Sequence, residues 1–297
     1  MMYAATSPSN AALDLSAQTL LPGGDGMQGR VKLAFGLSAG ETRLKDLYQT
    51  SPMRVLFPGK SPGDILSAAL VTTSGGLVGG DRMNAEVMIN AGAAVQIIGQ
   101  AAEKVYRSIG PDTLFETRLD VAEGAWCEWL PQETIIFDKA RLRRLTHVDV
   151  APGAQFLGAE MLIFGRTAMG ETLDTGLVRD VWDVRRAGKR VWADALHLSG
   201  NIKAQLDNPA GFDGARAAAT SILVADNADQ CLDFVREVLD AAPEGVTCAA
   251  TLINGILVTR WLAFDAQALR DAFAVYWAAM RHELKGLPAV MPRLWQM

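Results

Sequence analysis

From Arg30 onward, short apolar runs alternate with turn signals: Ser67–Thr73, Ala85–Asn90, Val95–Gln100, Leu114–Val121, Ala125–Leu130, Arg144–Val150, Gln155–Ile163, Leu177–Val184 and Arg190–Leu198. Runs this short, bounded by Gly, Asn, Asp and Pro, predict β-strands rather than helices. Three of the boundaries repeat a strand–turn–strand shape. Ile89-Asn90-Ala91-Gly92-Ala93, Val121-Ala122-Glu123-Gly124-Ala125 and Val150-Ala151-Pro152-Gly153-Ala154 each place glycine where the backbone reverses. Glycine suits such points because it takes positive φ at low cost. The three glycines lie 32 and 29 residues apart, as stacked hairpins or β-coils would place them.

The last third changes period. Cys231, Phe234, Val235, Val238 and Leu239 share one face of a helix expected over Ala228–Ala242, capped by Asn227 or Asp226 and ended by Pro243. Strands return at Val246–Ile253 and Ile256–Ala263, joined by the hairpin signal Asn254-Gly255. A second helix is expected from Ala266 to Lys285, with Asp265 as cap and Gly286 and Pro288 beyond its end. Its buried stripe is Leu269, Phe273, Tyr276, Trp277 and Met280. Residues 1–28 are rich in Ala, Ser, Gly and Pro and keep no period. They are expected to be a flexible N-terminal arm with a short ordered stretch at Ala11–Leu21. No linker interrupts the rest. The expectation is therefore a mainly β protein: stacked β-sheets or hairpins in one domain over residues 29–297, with two packed α-helices in the C-terminal third.

Composition narrows the function. Of 297 residues, 49% are apolar and 21% charged, and 28 Lys and Arg against 33 Asp and Glu leave a net charge of −5. That balance argues against nucleic acid as a partner, since a binder of it clusters Lys and Arg to displace counterions. The longest runs free of charge, Ile65–Gly80 and Val87–Ala102, are 16 residues each, short of the roughly 20 needed to span a bilayer. The first basic residue is Arg30, so no secretory leader is expected. Three scattered cysteines, Cys127, Cys231 and Cys248, fit a reducing cytoplasm better than a disulfide framework.

Four stretches could carry chemistry. Thr72–Asp81 holds four glycines in six positions. It reads either as a tight turn capped by Asp81 or as a close-contact loop that presents Asp81 to a cavity. Gln100–Ser108 sets charges around Tyr106 at a strand end, which a solvated polar edge would explain. Trp129–Asp138 embeds Glu133 and Asp138 in an apolar run, where carboxylates must be paired, hydrated or used. The basic run Lys139–Arg144 is one source of such pairing. Gly158–Glu171 places Glu160 before a buried strand and Arg166 within reach of Glu160 or Glu171. His147, His197 and His282 are isolated, and no Cys or His pair has zinc-ligand spacing. No Gly-x-Ser-x-Gly elbow occurs.

These same segments resemble the UreD (UreH) family of urease accessory proteins. The resemblance rests on Gly-Gly-Leu-Val-Gly-Gly-Asp at 75–81, Glu-Lys-Val-Tyr-Arg-Ser at 103–108, Trp-Leu-Pro-Gln-Glu-Thr-Ile-Ile-Phe-Asp at 129–138 and Glu-Met-Leu-Ile-Phe-Gly-Arg-Thr-Ala-Met-Gly-Glu at 160–171. Asp-Ala-Leu-His-Leu at 194–198 and Pro-Arg-Leu-Trp at 292–295 add to it. The chain departs from the family pattern at Thr72-Thr73-Ser74, where many relatives have His-Pro-Pro, and at Val290-Met291-Pro292-Arg293, where many have Cys-Pro-Pro-Arg. Any role for a histidine at the first position is lost, and if the chain works as its relatives do neither position is an essential ligand.

The resemblance implies a β-rich fold and a non-enzymatic, cytoplasmic job. Such proteins bind apo-urease, recruit UreF and, through it, the GTPase UreG, and help deliver Ni²⁺ through an internal water-filled passage. It implies no stably bound cofactor, only transient Ni²⁺. By match to the family segments, Asp81, Glu133, Asp138, Glu160 and Glu171 become candidates to line the passage. Scattered carboxylates and water suit transit, because a conduit must bind weakly enough to release. The C-terminal helix and Pro292–Trp295 offer aromatic and Arg anchors for a partner, or simply close the core. Two other readings stay open: a β-rich hydrolase using Glu133 and Asp138 as an acid–base pair, and a structural adaptor that never contacts nickel.

Overall fold

The computed structural model describes residues 26–296; the Ala11–Leu21 stretch lies outside them. The chain begins with β1 (Gln28–Ser38), β2 (Glu41–Thr50), β3 (Met53–Leu56) and β4 (Leu66–Thr72). It then winds through β5 (Arg82–Ile89), β6 (Ala94–Gly99), β7 (Glu103–Val105), β8 (Thr113–Val121), β9 (Trp126–Leu130), β10 (Thr134–Ile136), β11 (Arg141–Val150) and β12 (Gln155–Phe164). The hairpin β13 (Thr175–Arg186) and β14 (Lys189–Asn201) follows, then α1 (Ile202–Leu206), β15 (Ala217–Val224), α2 (Leu232–Asp240), β16 (Val246–Ile253), β17 (Ile256–Ala263) and α3 (Ala266–Lys285).

Among the described residues, two sheets face each other. The first runs β14-β13-β11-β8-β5-β1-β2, and the second runs β16-β17-β15-β12-β9-β6-β4-β3. Strands β5, β8, β11 and β13 pair in parallel, as do β6, β9 and β12 in the other sheet. The centre is therefore a coil that crosses from one sheet to the other at each tight turn. Of the two expected arrangements, β-coils are the one present. Gly92, Gly124 and Gly153 sit at the crossings with φ of 69°, 68° and 72°. Only glycine adopts that backbone cheaply, which is why the echo appears in the sequence.

The inward positions alternate along each strand. In β11, Leu142, Arg144, Thr146, Val148 and Val150 are buried and the residues between them are half-exposed. Val31, Phe35, Val87, Leu119, Val148, Phe156 and Trp182 fill the space between the sheets. On its other side the second sheet is covered by α2 and α3, through Val235, Leu239, Leu269, Phe273, Tyr276 and Trp277 against Trp261, Leu257 and Leu223. Asp265 caps α3 by accepting from the Ala268 amide at 2.8 Å, and Gly286 ends it in the left-handed region, as the sequence predicts. The Asn254-Gly255 turn, both residues at positive φ, joins β16 to β17. The first expected helix is split into a 3-10 turn over Ala228–Cys231 and α2, and Asn227 makes no side-chain cap. Asp226 instead pairs with Arg186.

In the C-terminal segment Trp295 helps close the core, while Arg293 is exposed. Trp295 is 5% exposed, stacks on Phe273 at 5.7 Å between centroids, and donates its indole N–H to the Leu130 carbonyl.

Candidate functional site

The second sheet has a flaw at its centre. Between β6 and β7, and again between β9 and β10, the strand breaks for three residues, while β12 runs unbroken past both. Pro131 has no N–H to pair, and Gly99 lets the Gln132 amide of the next coil come close: a Cβ at Gly99 would stand 2.6 Å from that nitrogen. The coil wall opens at this point into a cavity of about 200 Å³, lined by Thr72, Gly76, Glu103, Trp129, Arg144 and Glu160 among others. A second cavity of about 440 Å³ lies between the sheets toward β14 and β16, lined by Glu160, Asp180, Trp182, Asp194, Phe212 and Arg260. Glu160 borders both.

The wall between the cavities is a buried ion cluster. Arg144 makes a two-pronged bond to Asp180, at 2.8 and 2.6 Å, and reaches Glu160 at 2.6 Å. Glu160 also accepts from the Trp129 indole at 3.0 Å and from the Thr146 hydroxyl at 3.3 Å. Burial pushes the Glu160 carboxyl up, Arg144 works against that, and Asp180 adds to it. Burial disfavours the charge on Arg144, but Asp180 and Glu160 outweigh it and hold the guanidinium firmly protonated. One arginine therefore faces two carboxylates, and burial favours the protonated form of Glu160.

At the other end of the smaller cavity stands Glu103. Its carboxylate accepts from the Thr72 hydroxyl at 2.5 Å. Burial raises its pKa to about 7, against the Thr72 bond and the Lys104 amide, with Asp81 adding to the rise. The stretch 100–108 is thus more than a solvated edge. Lys104 and Arg107 are exposed, but Glu103 faces inward. Tyr106 packs edge-on against Phe137 at 4.8 Å, and Arg166 lies 4.4 Å over the same Phe137 ring.

The five candidate carboxylates do not converge. Asp81 is 1% exposed and accepts the amides of Met27 and Val78, both at 2.8 Å, so the capped-turn reading describes its bonds. The glycines beside it do permit close approach: a Cβ at Gly76 would meet the Tyr106 ring at 2.4 Å, and one at Gly79 the Ser108 hydroxyl at 2.1 Å. Glu133 pairs with Arg270 of α3 and not with the basic run Lys139–Arg144. Asp138 accepts the amides of Asp174 and Thr175, both at 3.0 Å. Glu171 forms a two-pronged pair with Arg166, at 2.8 and 2.9 Å, near the surface. Of the five, Glu160 is the one that lines a cavity.

Asp180 escaped the sequence reading, while Arg144 was read only as part of the pairing basic run and Glu103 only as part of a solvated edge. The alternation in β11 carries the signal for Arg144, which shares an inward face with Leu142 and Val148 while Arg141 and Arg143 point outward to Asp112. Among the described residues, no group of three or more His, Cys, Asp or Glu is close enough to hold a metal ion. The site thus offers single carboxylates and hydroxyls along two neighbouring cavities that share Glu160. Such a set can pass a hydrated cation along but cannot cage one.

The sequence relationships agree with the motif order. The profile of the UreD urease accessory protein family matches residues 27–296. Urease accessory protein UreD of Magnetococcus marinus is 46% identical over 273 residues, 91% of this chain and 94% of that protein. Urease accessory protein UreD 2 of Methylorubrum populi is 41% identical over 267 residues, 90% of this chain and 88% of that protein. The UreD of Azorhizobium caulinodans is 39% identical over 267 residues, 90% of this chain and 95% of that protein. A match over nearly the whole described coil and its helices, with relatives of similar length, makes this chain a member of the UreD urease accessory protein family.

Proposed function

We propose that this chain acts in urease maturation as a non-catalytic scaffold that docks on apo-urease with UreF and, through UreF, with UreG, and that Ni²⁺ crosses its interior on the way to the urease site. The observation that carries the passage is Glu160, one carboxylate on the walls of both cavities. The cargo enters beside Glu103, passes the Arg144–Glu160–Asp180 cluster and leaves between β14 and β16. With Glu160 ionised the cluster carries one net negative charge, which favours a divalent cation. With Glu160 protonated it is neutral, so the ion is released. Neither step makes or breaks a covalent bond.

The hydrolase reading finds less support. Glu133 is held by Arg270, and Asp138 is spent on two backbone amides, so neither is placed as a free acid or base. The test is Glu160→Gln, which keeps the shape and the Trp129 bond and removes the charge. Co-expressed with urease and its other accessory proteins, the variant is expected to co-purify with UreF and apo-urease as the wild type does, while urease nickel content falls several-fold by mass spectrometry. Full nickel loading in the assembled variant complex would discard the passage and leave the structural adaptor. A wild-type chain that retains neither UreF nor apo-urease would discard the scaffold.

A further inference from the structure

The outward face of the first sheet carries an arrangement that the passage does not use. Strand register places Arg82, Leu114, Arg143, Arg179 and His197 side by side in one row across β5, β8, β11, β13 and β14. Four inter-strand steps of about 4.8 Å make the row roughly 19 Å long. Arg143 and Arg179 are direct cross-strand partners, an arrangement that costs the fold stability because like charges face each other. Asp112 answers part of that charge. It bonds Arg141 at 2.6 Å and Arg143 at 2.5 Å. Arg179 receives no such answer: its Nε is buried and without an acceptor among the described residues. Glu116, in the next row opposite Leu145, is exposed and makes no bond to it.

Unanswered guanidinium groups on a chain of net charge −5 point to a counter-charge supplied from outside. We propose that this row is a docking surface for an acidic segment of a partner protein, with Arg179 as its central anchor. Several features favour a carboxylate-bearing protein over nucleic acid. The patch is short, the chain as a whole is acidic, and Leu114 sets an apolar position between Arg82 and Arg143, with Leu145 in the row beside it. Arginine forks match carboxylates in pairs, and the strand spacing matches the roughly 5–6 Å between side chains one turn apart on an acidic helix. Asp112 holds the Arg143 guanidinium on the strand position next to Arg179.

The inference is independent of nickel transit and its test needs neither urease nor metal. Binding of a fluorescent oligo-glutamate peptide to the full-length chain is followed by anisotropy at low and physiological salt, beside an oligothymidylate of equal charge. The wild type is expected to prefer the peptide and to lose affinity steeply with salt. Arg179→Glu should weaken peptide binding by about tenfold or more, the effect of a lost charged anchor. Arg179→Gln should weaken it too while leaving thermal stability equal to or above the wild type, because a cross-strand repulsion is relieved. Peptide binding unchanged in Arg179→Glu, or absent in the wild type, overturns the proposal. Tighter binding of the oligothymidylate would reassign the surface to nucleic acid. A fall in stability in Arg179→Gln would make the arginine a structural residue.

Discussion

Glu103 gives the sharpest test of the cavity's electrostatics. Its carboxyl is raised from 4.5 to about 7, chiefly by burial. The folded protein therefore keeps this proton over a pH range in which the unfolded chain has lost it. Stability from this group is full below about pH 4.5 and is lost as pH rises through about 7. The difference of about 2.5 units, at 1.36 kcal/mol each, is a penalty of about 3 kcal/mol above pH 7. Solvent reaching the carboxyl through the cavity makes this an upper bound. Glu103→Gln keeps an oxygen for the Thr72 hydroxyl and carries no charge to desolvate. The variant should match the wild type near pH 4.5 and exceed it by up to about 3 kcal/mol at pH 8. Urea denaturation across that range, with m-values checked for constancy, measures the difference directly. Parallel pH–stability curves for the two proteins, or a variant weaker than the wild type at pH 8, would refute the burial argument for Glu103.

Two further substitutions probe the frame around the site. Arg281 is fully buried and binds Asp64 at 2.6 Å and Glu128 at 3.3 Å, tying α3 to the coil, so Arg281→Met should cost about 3–5 kcal/mol in denaturant unfolding by stranding Glu128. Adding Glu128→Gln should restore part of that loss, since it removes the stranded charge and its one amide oxygen can still accept from Trp126 or Gln96. Gly99→Ala puts a methyl carbon 2.6 Å from the Gln132 amide, and the resulting backbone shift should cost about 1–3 kcal/mol of thermal stability and move the Trp129 fluorescence.

The β-architecture was legible because its punctuation is local. Gly92, Gly124 and Gly153 mark each crossing of the coil, and the strands of the coil lie within a few residues of their expected bounds. Helix α3 was legible to the residue because Asp265, Gly286 and an apolar stripe agree. Strands β1, β2, β3 and β15 were not read, nor were the three-residue β7 and β10. The half-exposed β2 lacks an apolar alternation, and β15 is Ala-rich, a composition that gives little β signal. The ion cluster was hidden for a different reason. Arg144, Glu160 and Asp180 come from three strands, and which of three nearby arginines points inward depends on register. A glutamate in an apolar run announces that it needs a partner but not which one. Glu133 met Arg270, 137 residues away, rather than the adjacent basic run.

The break in the coil wall explains why polar groups survive inside this core. A continuous strand through residues 130–134 would extend the ladder along β12, one through 99–103 would extend the ladder along β9 and β10, and either would close the space beside Arg144. Sealed in a dry interior, Glu160 would pay the full cost of burial with one arginine shared between two carboxylates. Backbone geometry sets the break: Pro131 has no amide to pair, and Gly99 leaves room for the Gln132 amide of the next coil to pass closely. The cavity so formed borders Glu103 and Glu160 while the sheets on either side stay packed. Structure and proposed passage thus rest on the same two residues: removing the flaw would stabilise the wall and strand the charges it was opened to serve.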